Sequence, residues 1–353
     1  MRILGYWIGY LIFVFVGGAA LAPWLYHGMQ WLGQHVSLLS GLADHPFHRF
    51  VHRSIFIVAF LGLVPLTRHL ELRSWEAVGF RFQRGAYDRF NSGWVAGFVT
   101  VGIVMLVILQ IGPATYRRSF EPTLFSILSL ALKAVLTGVT VGILEELLFR
   151  GVVFGSLRGA LGVLPAMVVS SAIYSWVHFF AKVSWVGPVS WDSGFQVVRL
   201  MIEGLVDPYL LWPAALNLFV AGMILVWLYH RTGDLATSIG LHAGWVIALK
   251  LCTGIFKLRG LPGSWTGSSR LVDGWIALPA LLFSGWFAWK WVQMQKGTEP
   301  KSSLNASPTG TESDEPSALP PPGTHSEGFS RPRELNPAAS KDSNHEDSSS
   351  PVG

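Results

Sequence analysis

The sequence predicts an all-α, polytopic helical membrane protein of about eight transmembrane helices with a disordered C-terminal tail. The first observation is composition: 51% of the 353 residues are hydrophobic and only 13% are charged, whereas soluble domains average about 25% charged residues. The second is the recurrence of apolar runs of about 20 residues, the length that crosses a bilayer as a helix. The third is residues 297–353, which are rich in Ser, Pro, Asn and Glu and contain too few large apolar side chains to fold.

The first apolar run, residues 3–26, has two interpretations. Its Ala19-Ala20-Leu21-Ala22 stretch resembles a signal-peptide cleavage site, but the run is longer than a signal sequence requires, so we predict a retained span. The other predicted spans are 51–66, 94–111, 124–157, 161–180, 210–229, 235–251 and 272–292. An amphipathic stretch at 195–206 predicts an interfacial helix between two of them.

The fourth predicted span, residues 124–157, is longer than one bilayer thickness. We therefore expect its end to project from the membrane or to bend at Gly151 or Gly155.

Charge placement predicts the topology. Eight spans put both termini on one side of the membrane, and the connection between spans two and three lies on that side too. That connection is basic and contains Arg68, Arg73, Arg81, Arg84 and Arg89. By the positive-inside rule both termini are predicted to be cytoplasmic. The net charge of +5 is modest, and the lysines and arginines lie mostly between the apolar runs. This placement is typical of membrane topology and does not indicate nucleic-acid binding.

Several site classes are excluded by the sequence. Cys252 is the single cysteine, so neither an internal disulfide nor a cysteine-based zinc site can form. The chain contains no HExxH, Walker or GxGxxG motif.

Two adjacent carboxylates and an arginine stand at the end of the apolar helix of span four. Glu146 and Arg150 are four residues apart and share a helix face, so we expect them to pair. Glu145 points about 100° away around the helix, which leaves it available as a general base. The alternative is a solvated helix end with an ordinary salt bridge, but the apolar flanks make charge there costly and indicate function.

Two histidines lie inside later spans. His178 follows Tyr174 by one helical turn, so both side chains can face the bundle interior, and His242 lies deep in span seven. Each histidine alone could be a hydrogen-bonded packing residue. Together with the glutamate pair they offer a base, a second proton carrier and an oxyanion donor.

These motifs, Glu-Glu-x-x-x-Arg, aromatic-x-x-x-His and a His after Gly-Leu, resemble those of the CPBP family. This family comprises CAAX-processing and bacteriocin-processing (Abi-type) intramembrane proteases related to the CAAX prenyl endopeptidase Rce1. The resemblance covers about residues 124–250. It divides the chain into N-terminal transmembrane helices (1–122), a CPBP-type catalytic core (123–252), a last transmembrane helix with its loop (253–296) and the tail (297–353).

Two positions depart from the family pattern. The second motif begins with Tyr174 where Phe is usual, and Val246 stands where the third motif often has Asn. Asn217 in span six is a candidate substitute for that amide; it could equally be a packing group bonded to a neighbouring helix.

The resemblance implies a glutamate-dependent intramembrane endopeptidase. Glu145 would activate water, His178 would hold that water or share its proton, Glu146 and Arg150 would shape the site, and His242 would stabilise the tetrahedral intermediate. We predict no cofactor. The metal-dependent alternative is a zinc protease with Glu145, His178 and His242 as ligands.

The alternative function that involves no catalysis is a non-proteolytic immunity or scaffold role. The expected partners are a membrane-associated peptide or protein substrate and the lipid bilayer, with no nucleic acid. The expected location is a bacterial inner (plasma) membrane.

Overall fold

The computed structural model describes residues 2–298 except 71, 73, 82–84, 112–113, 180–182 and 204–211. The predicted tail begins at residue 297; its first two residues end the last helix, and the rest of it lies outside the described residues. The division of the chain predicted from the sequence therefore stays a prediction.

The described chain is mostly helical. The α-helices in order are α1 (Arg2–His35), α2 (Ser40–Ala43), α3 (Phe47–His69), α4 (Ala86–Ile111), α5 (Leu124–Glu146), α6 (Gly155–Leu161), α7 (Val163–Val177), α8 (Ser193–Glu203), α9 (Ala214–Thr232), α10 (Ala236–Ile255) and α11 (Ala277–Thr298). A 3₁₀ turn (Ser37–Leu39) follows α1, and a π-helix (Leu147–Phe154) joins α5 to α6. The sequence did not predict the short antiparallel pair of β1 (Ala114–Tyr116) and β2 (Phe256–Leu258).

Each of the eight predicted spans corresponds to a helix or to a continuous helical run. Six of these are long and apolar enough to cross a membrane: α1, α3, α4, the run from α5 to α6, α9 and α10. The other two are α7, which is apolar but has 15 residues, and α11, which has 22 residues. The prediction of a polytopic helical membrane protein is confirmed. Helix α8 covers residues 195–203 of the predicted amphipathic segment, and the last three residues of that segment, 204–206, lie outside the described residues.

The fourth predicted span is part of an unbroken helical run of 38 residues, Leu124–Leu161. It begins at a capping box in which the Thr123 and Ser126 side chains each accept from the other's backbone N–H. The run continues through both Gly151 and Gly155, so neither glycine ends it. At about 1.5 Å per residue it is longer than a hydrocarbon core of about 30 Å, and the expectation that one end projects stays a prediction. Gly151 lies against the loop between α3 and α4, and a Cβ at this position would overlap the Val78 carbonyl.

Helix α10 lies between α4 and α5 and makes its most extensive contacts with them. Gly93 and Gly97 of α4 face Gly240 and Gly244 of α10, and a Cβ at any of the four would overlap backbone atoms of the opposite helix. Gly138 of α5 faces α10 in the same way. Helices in lipid gain little from burying apolar surface against each other, so close packing of small residues is what holds them together.

The N-terminal helices pack on the other side of the α5–α6 run. Helix α1 packs against α3, where Gly18 contacts Ile55. Helix α8 lies on α1, where Gly194 contacts the backbone of Ala19. A central apolar cluster joins α1, the π-helix, α7 and α9. The polar motifs of the sequence therefore lie at the junction between these two groups of helices.

The α4–α10 contact yields a stability prediction. Gly97→Ala places a methyl group against the Leu241 carbonyl, whereas a Cβ added at Gly102 on the same helix would meet no other described helix within 4 Å. We expect Gly97→Ala to lower stability by about 1–3 kcal/mol, as overpacking does, and Gly102→Ala to lower it by much less. Thermal unfolding in detergent measures both, and equal midpoints for the two variants would contradict the close α4–α10 contact.

Candidate active site

The helical lengths bring Glu145 and His178 to one level of the bundle. Glu145 lies 16 residues before Leu161, and His178 lies 15 residues after Val163, across a one-residue connection at Gly162. Because these segments run in opposite directions from that turn, nearly equal residue counts place both side chains at nearly equal heights. His178 is the residue that caps the C-terminus of α7.

Glu146 is fully buried and accepts two hydrogen bonds through one oxygen. Arg150 Nη1 donates to Glu146 Oε1 at 2.8 Å, the pairing predicted from the four-residue spacing. His242 Nδ1 lies 2.8 Å from the same oxygen. Since a carboxylate paired with an arginine only accepts, the His242 Nδ1 carries the proton and donates. A buried carboxylate with two such donors is held in one position.

Glu145 faces both histidines with its Oε2 atom. That atom lies 3.5 Å from His178 Nε2 and 3.8 Å from His242 Nε2. It is buried and has no hydrogen-bond partner within the described part of the chain. The His178 Nδ1 lies 2.8 Å from the Tyr174 carbonyl, which can only accept. In both rings Nδ1–H donates to another acceptor, the Tyr174 carbonyl for His178 and Glu146 for His242. The Nε2 atom of each ring faces Glu145.

The two glutamates differ in exposure as well as in partners. The Glu146 side chain is 0% exposed and the Arg150 side chain 2%, whereas Glu145 retains 26% and His178 30%. His242 is nearly buried at 6%. The structure therefore brings together all five residues singled out from the sequence. Glu146 and Arg150 form a buried supporting pair, His242 lies nearly buried beside them, and Glu145 and His178 form the more accessible pair.

Tyr174 lies among these residues and contacts three of them. Its ring centre is 4.5 Å from that of His178 and 6.3 Å from that of His242. The Arg150 guanidinium carbon lies 4.5 Å from the same ring centre, a distance at which a cation and an aromatic face attract each other. The aromatic position of the second motif thus packs directly against the charged groups of the site.

Asn217 does not replace the amide missing at Val246. Its Nδ2 donates to the carbonyls of Val272 at 2.8 Å and Gly274 at 2.9 Å. Both amide protons are therefore used to tie α9 to the loop before α11. Of the two interpretations of Asn217, the structure supports the packing role, although its partner is a loop and not a helix.

A metal ion needs several ligand atoms around one point. Within residues 2–298, apart from the gaps stated above, no group of three or more His, Cys, Asp and Glu side chains has an arrangement that could hold one. The three residues of the zinc alternative, Glu145, His178 and His242, are neighbours but do not form such a group in this geometry.

An apolar cavity of about 500 Å³ opens onto the accessible pair. Glu145 and His178 form part of its wall. The rest of the wall is almost entirely apolar and comes from α1, α3, α5, the π-helix, α7 and α8. The arrangement combines a free carboxylate, two imidazoles and a space for a large apolar group.

Sequence reasoning missed three features near this cavity. His52 of α3 lies on its wall, and a histidine inside an apolar run was a signal that could have identified it. Trp7 of α1 donates from Nε1 to Ser156 Oγ at 3.0 Å, a contact between distant segments that no local pattern indicates. The π-helix after Glu146 also has no sequence signal, although such segments are frequent at functional sites.

Comparison with known proteins confirms the family resemblance. The family model described as type II CAAX prenyl endopeptidase Rce1-like matches residues 127–248, about a third of the chain. This region contains Glu145, Glu146, Arg150, His178 and His242. No curated protein and no solved structure matched the chain. The similarity is therefore to this family and is limited to the part of the chain that carries the candidate site.

The buried ion pair yields a second stability prediction, with a matched control in the same chain. Arg150 and Arg199 each pair with a glutamate one turn away, but Arg150 is buried whereas the Arg199 side chain is 79% exposed. We expect Arg150→Met to cost about 3–5 kcal/mol, because it leaves a buried carboxylate without its cation. Arg199→Met should change little, since exposed pairs contribute weakly.

Thermal unfolding in detergent measures the two arginine variants side by side. Similar midpoints would contradict the importance of the Arg150–Glu146 pair. The double variant Arg150→Met with Glu146→Gln should recover part of the loss, because it removes the uncompensated charge.

Proposed function

We propose, given that residues 127–248 match the Rce1-like family of type II CAAX prenyl endopeptidases, that this protein is an intramembrane endopeptidase that activates water with a glutamate. Its substrate is a membrane-associated peptide or protein. One observation carries the proposal: the free Glu145 Oε2 faces the Nε2 atoms of His178 and His242 at 3.5 and 3.8 Å. Integral membrane location follows from the long apolar helices.

Glu145 is the general base of this proposal. The separations between its Oε2 and the two Nε2 atoms are longer than a hydrogen bond but suit a bridging water molecule. A water between Glu145 and His178 gives one hydrogen bond to each of them, because the His178 Nε2 is an acceptor when its Nδ1 carries the proton. His178 thereby orients the water, and Glu145 takes its proton.

Glu145 carries one proton from the water to the leaving group. Water loses a proton to Glu145 as its oxygen attacks the peptide carbonyl carbon, giving a tetrahedral intermediate with a negative oxygen. That intermediate collapses, the C–N bond breaks, and Glu145 returns the proton to the leaving nitrogen. The products are a carboxylic acid and an amine, and Glu145 is ionised again.

His242 is the donor for the negative oxygen. Its Nδ1–H is directed to Glu146, so its Nε2 donates only when the ring is an imidazolium. The Glu146 carboxylate accepts from the Nδ1 side of the ring, and Arg150 holds that carboxylate in place. With Val246 at the position of the missing amide, His242 is the principal oxyanion donor in this proposal.

The zinc-dependent version of the protease assigns Glu145, His178 and His242 to a metal instead. A chelation experiment separates the two mechanisms. We expect purified protein in liposomes to keep its activity after exhaustive chelation, because the proposed base acts on water without a metal. Complete loss of activity with restoration by zinc would overturn the metal-free mechanism.

Glu145→Gln tests the base directly. The amide has nearly the same shape but cannot accept the water's proton, so we expect cleavage to fall by about 10²- to 10⁴-fold, the usual contribution of general acid–base catalysis. The measurement is quantitative proteomics of membrane peptides from cells producing the wild type, Glu145→Gln or Glu203→Gln. Glu203 is a partly exposed carboxylate on α8, so its variant controls for loss of a negative charge.

The same variants separate proteolysis from an immunity or scaffold role. A scaffold would keep its cellular phenotype in Glu145→Gln, whereas the proposed protease would lose it. Persistence of both the phenotype and the peptide pattern in Glu145→Gln would contradict the protease proposal.

The proposed orientation places both termini and the arginine-rich connection in the cytoplasm. The α6–α7 turn lies on that side as well, since it follows an even number of spans. Glu145 then lies within the bilayer, toward its cytoplasmic half. A source in a bacterial inner membrane is part of this proposal.

A further inference from the structure

Helices α5 and α10 each carry one lysine inside an otherwise apolar span. Lys133 is the tenth residue of α5, about 14 Å from its start at about 1.5 Å per residue. Lys250 stands five residues, about 8 Å, before the end of α10 at Ile255. Both side chains are exposed, and no carboxylate of the described chain pairs with either. A charge at such a depth is costly in lipid unless another group compensates it.

The two helices that carry the lysines pack antiparallel. Leu130, near the start of α5, lies against Gly254, near the end of α10, and Gly138 of α5 lies against Ile247 of α10. As residue numbers rise along α5, the facing numbers on α10 therefore fall by nearly the same amount. The Leu130–Gly254 contact is thus a reference for height along both helices.

This reference contact places the two lysines at one height. Lys133 is three residues after Leu130, and Lys250 is four residues before Gly254. Because the helices run in opposite directions, both lysines are displaced from the contact toward the same end of the bundle. Their heights differ by about one residue, roughly 1.5 Å.

The lysines also lie on one face of the helix pair. Ala134 of α5 and Leu251 of α10 pack in the same apolar cluster between the helices, and each directly follows a lysine. Successive helical residues are about 100° apart, so each lysine flanks the interface. Antiparallel helices are related by an approximate twofold axis perpendicular to the plane that contains them both. Equivalent positions therefore fall on the same face, and Lys133 and Lys250 form a pair there.

The lysine pair is separate from the candidate active site. Glu145 lies twelve residues beyond Lys133 on α5, about 18 Å along the helix. His242 lies eight residues before Lys250 on α10, about 12 Å along the helix. The pair is therefore nearer to the end of the bundle where α5 begins and α10 ends.

The surface around the lysine pair combines apolar and cationic groups. At the nearby end of α10, Arg117 donates from Nη2 to the Thr253 carbonyl, which adds a third cation. Along α5, four large apolar side chains are between 44% and 60% exposed: Leu128, Leu132, Val135 and Leu136. An apolar strip that leads to a group of cations has the same division as a phospholipid, whose chains are apolar and whose phosphate is anionic.

We propose that Lys133 and Lys250 bind the phosphate of an anionic phospholipid whose acyl chains lie along the exposed face of α5. Lysine side chains are long and extend from a helix toward the membrane boundary, where lipid phosphates lie. One phosphate between the two ammonium groups offsets the cost of both charges. A zwitterionic headgroup carries its own cation beside the phosphate, so the preferred lipid has a net negative charge. This inference does not depend on the proposed function.

A fluorescent label beside the pair measures which lipid is bound there. In a Cys252→Ser background, Leu136→Cys carries a bimane label at an exposed position one helical turn from Lys133. The full-length protein is placed in phosphatidylcholine liposomes that contain brominated phosphatidylglycerol or, at the same mole fraction, brominated phosphatidylcholine. Because bromine quenches only nearby labels, the ratio of the two quenching curves gives the local preference for phosphatidylglycerol.

We expect the label to report a preference for phosphatidylglycerol when both lysines are present. Lys133→Met and Lys250→Met should each lower this preference about fivefold, the factor that one lysine contributes near an anionic lipid surface. Lys133→Arg keeps the charge and should keep the preference. Absence of a preference in the parent protein, or its loss in Lys133→Arg, would overturn the proposal.

The matched control for the charge is Lys290→Met. It removes an exposed lysine from α11, a helix that packs against α4 and α9. We expect the preference at the label to stay unchanged in this variant. An equal fall in Lys290→Met and Lys133→Met would show attraction by net charge alone and would contradict a site at the lysine pair.

Sodium phosphate, added at constant ionic strength, distinguishes a lipid headgroup from a soluble anion. We expect the preference for phosphatidylglycerol to remain, because free phosphate has no acyl chains to lie along α5. Loss of the preference upon addition of phosphate would assign the lysine pair to a soluble anion and would overturn the lipid as its occupant.

Discussion

The burial of the Glu146 carboxylate is the constraint on which the candidate site depends. A charge removed from water must be matched by donors in good geometry, and Arg150 and His242 supply them through one oxygen. The contact that compensates Glu146 also fixes the His242 ring with its Nε2 toward Glu145. One buried charge thus determines the positions of both Arg150 and His242, and the adjacent Glu145 is left facing the two histidine Nε2 atoms.

His242 can reach Glu146 only because α10 approaches α5 closely. Glycines on both sides of α10 permit this, since Gly240 meets α4 and Gly138 of α5 meets Ile247 of α10. A methyl group at either glycine would overlap the facing helix. The glycines have no functional groups in their side chains, but they allow the helices to approach closely enough for His242 and Glu146 to form a hydrogen bond.

The polar residues of the candidate site and much of the cavity wall come from different parts of the chain. The five polar residues of the site lie within the family match at 127–248. Much of the cavity wall, including Trp7, Tyr10 and His52, comes from α1 and α3, which precede that region. In the proposed enzyme, variation in these N-terminal helices would change which substrates reach Glu145 while the hydrolytic groups stayed the same.

The sequence by itself determined the class of fold and the identity of the polar residues. Apolar runs fix the positions of membrane helices because charge and unpaired backbone groups are costly in lipid. The same cost made Glu145, Glu146 and His242 conspicuous, and the four-residue spacing was sufficient to predict the Arg150 pair. These are local properties, which a single chain displays without reference to its folded neighbours.

Only the tertiary structure decided which groups meet. The sequence offered two interpretations of Asn217, and the carbonyls of Val272 and Gly274 selected the packing one. It gave no sign of the π-helix after Glu146 or of the Tyr10 contact with Ala59. Such contacts join residues far apart in the chain, and they depend on how closely two helices approach and in which rotation. That packing is settled jointly by many side chains, so no local pattern contains it.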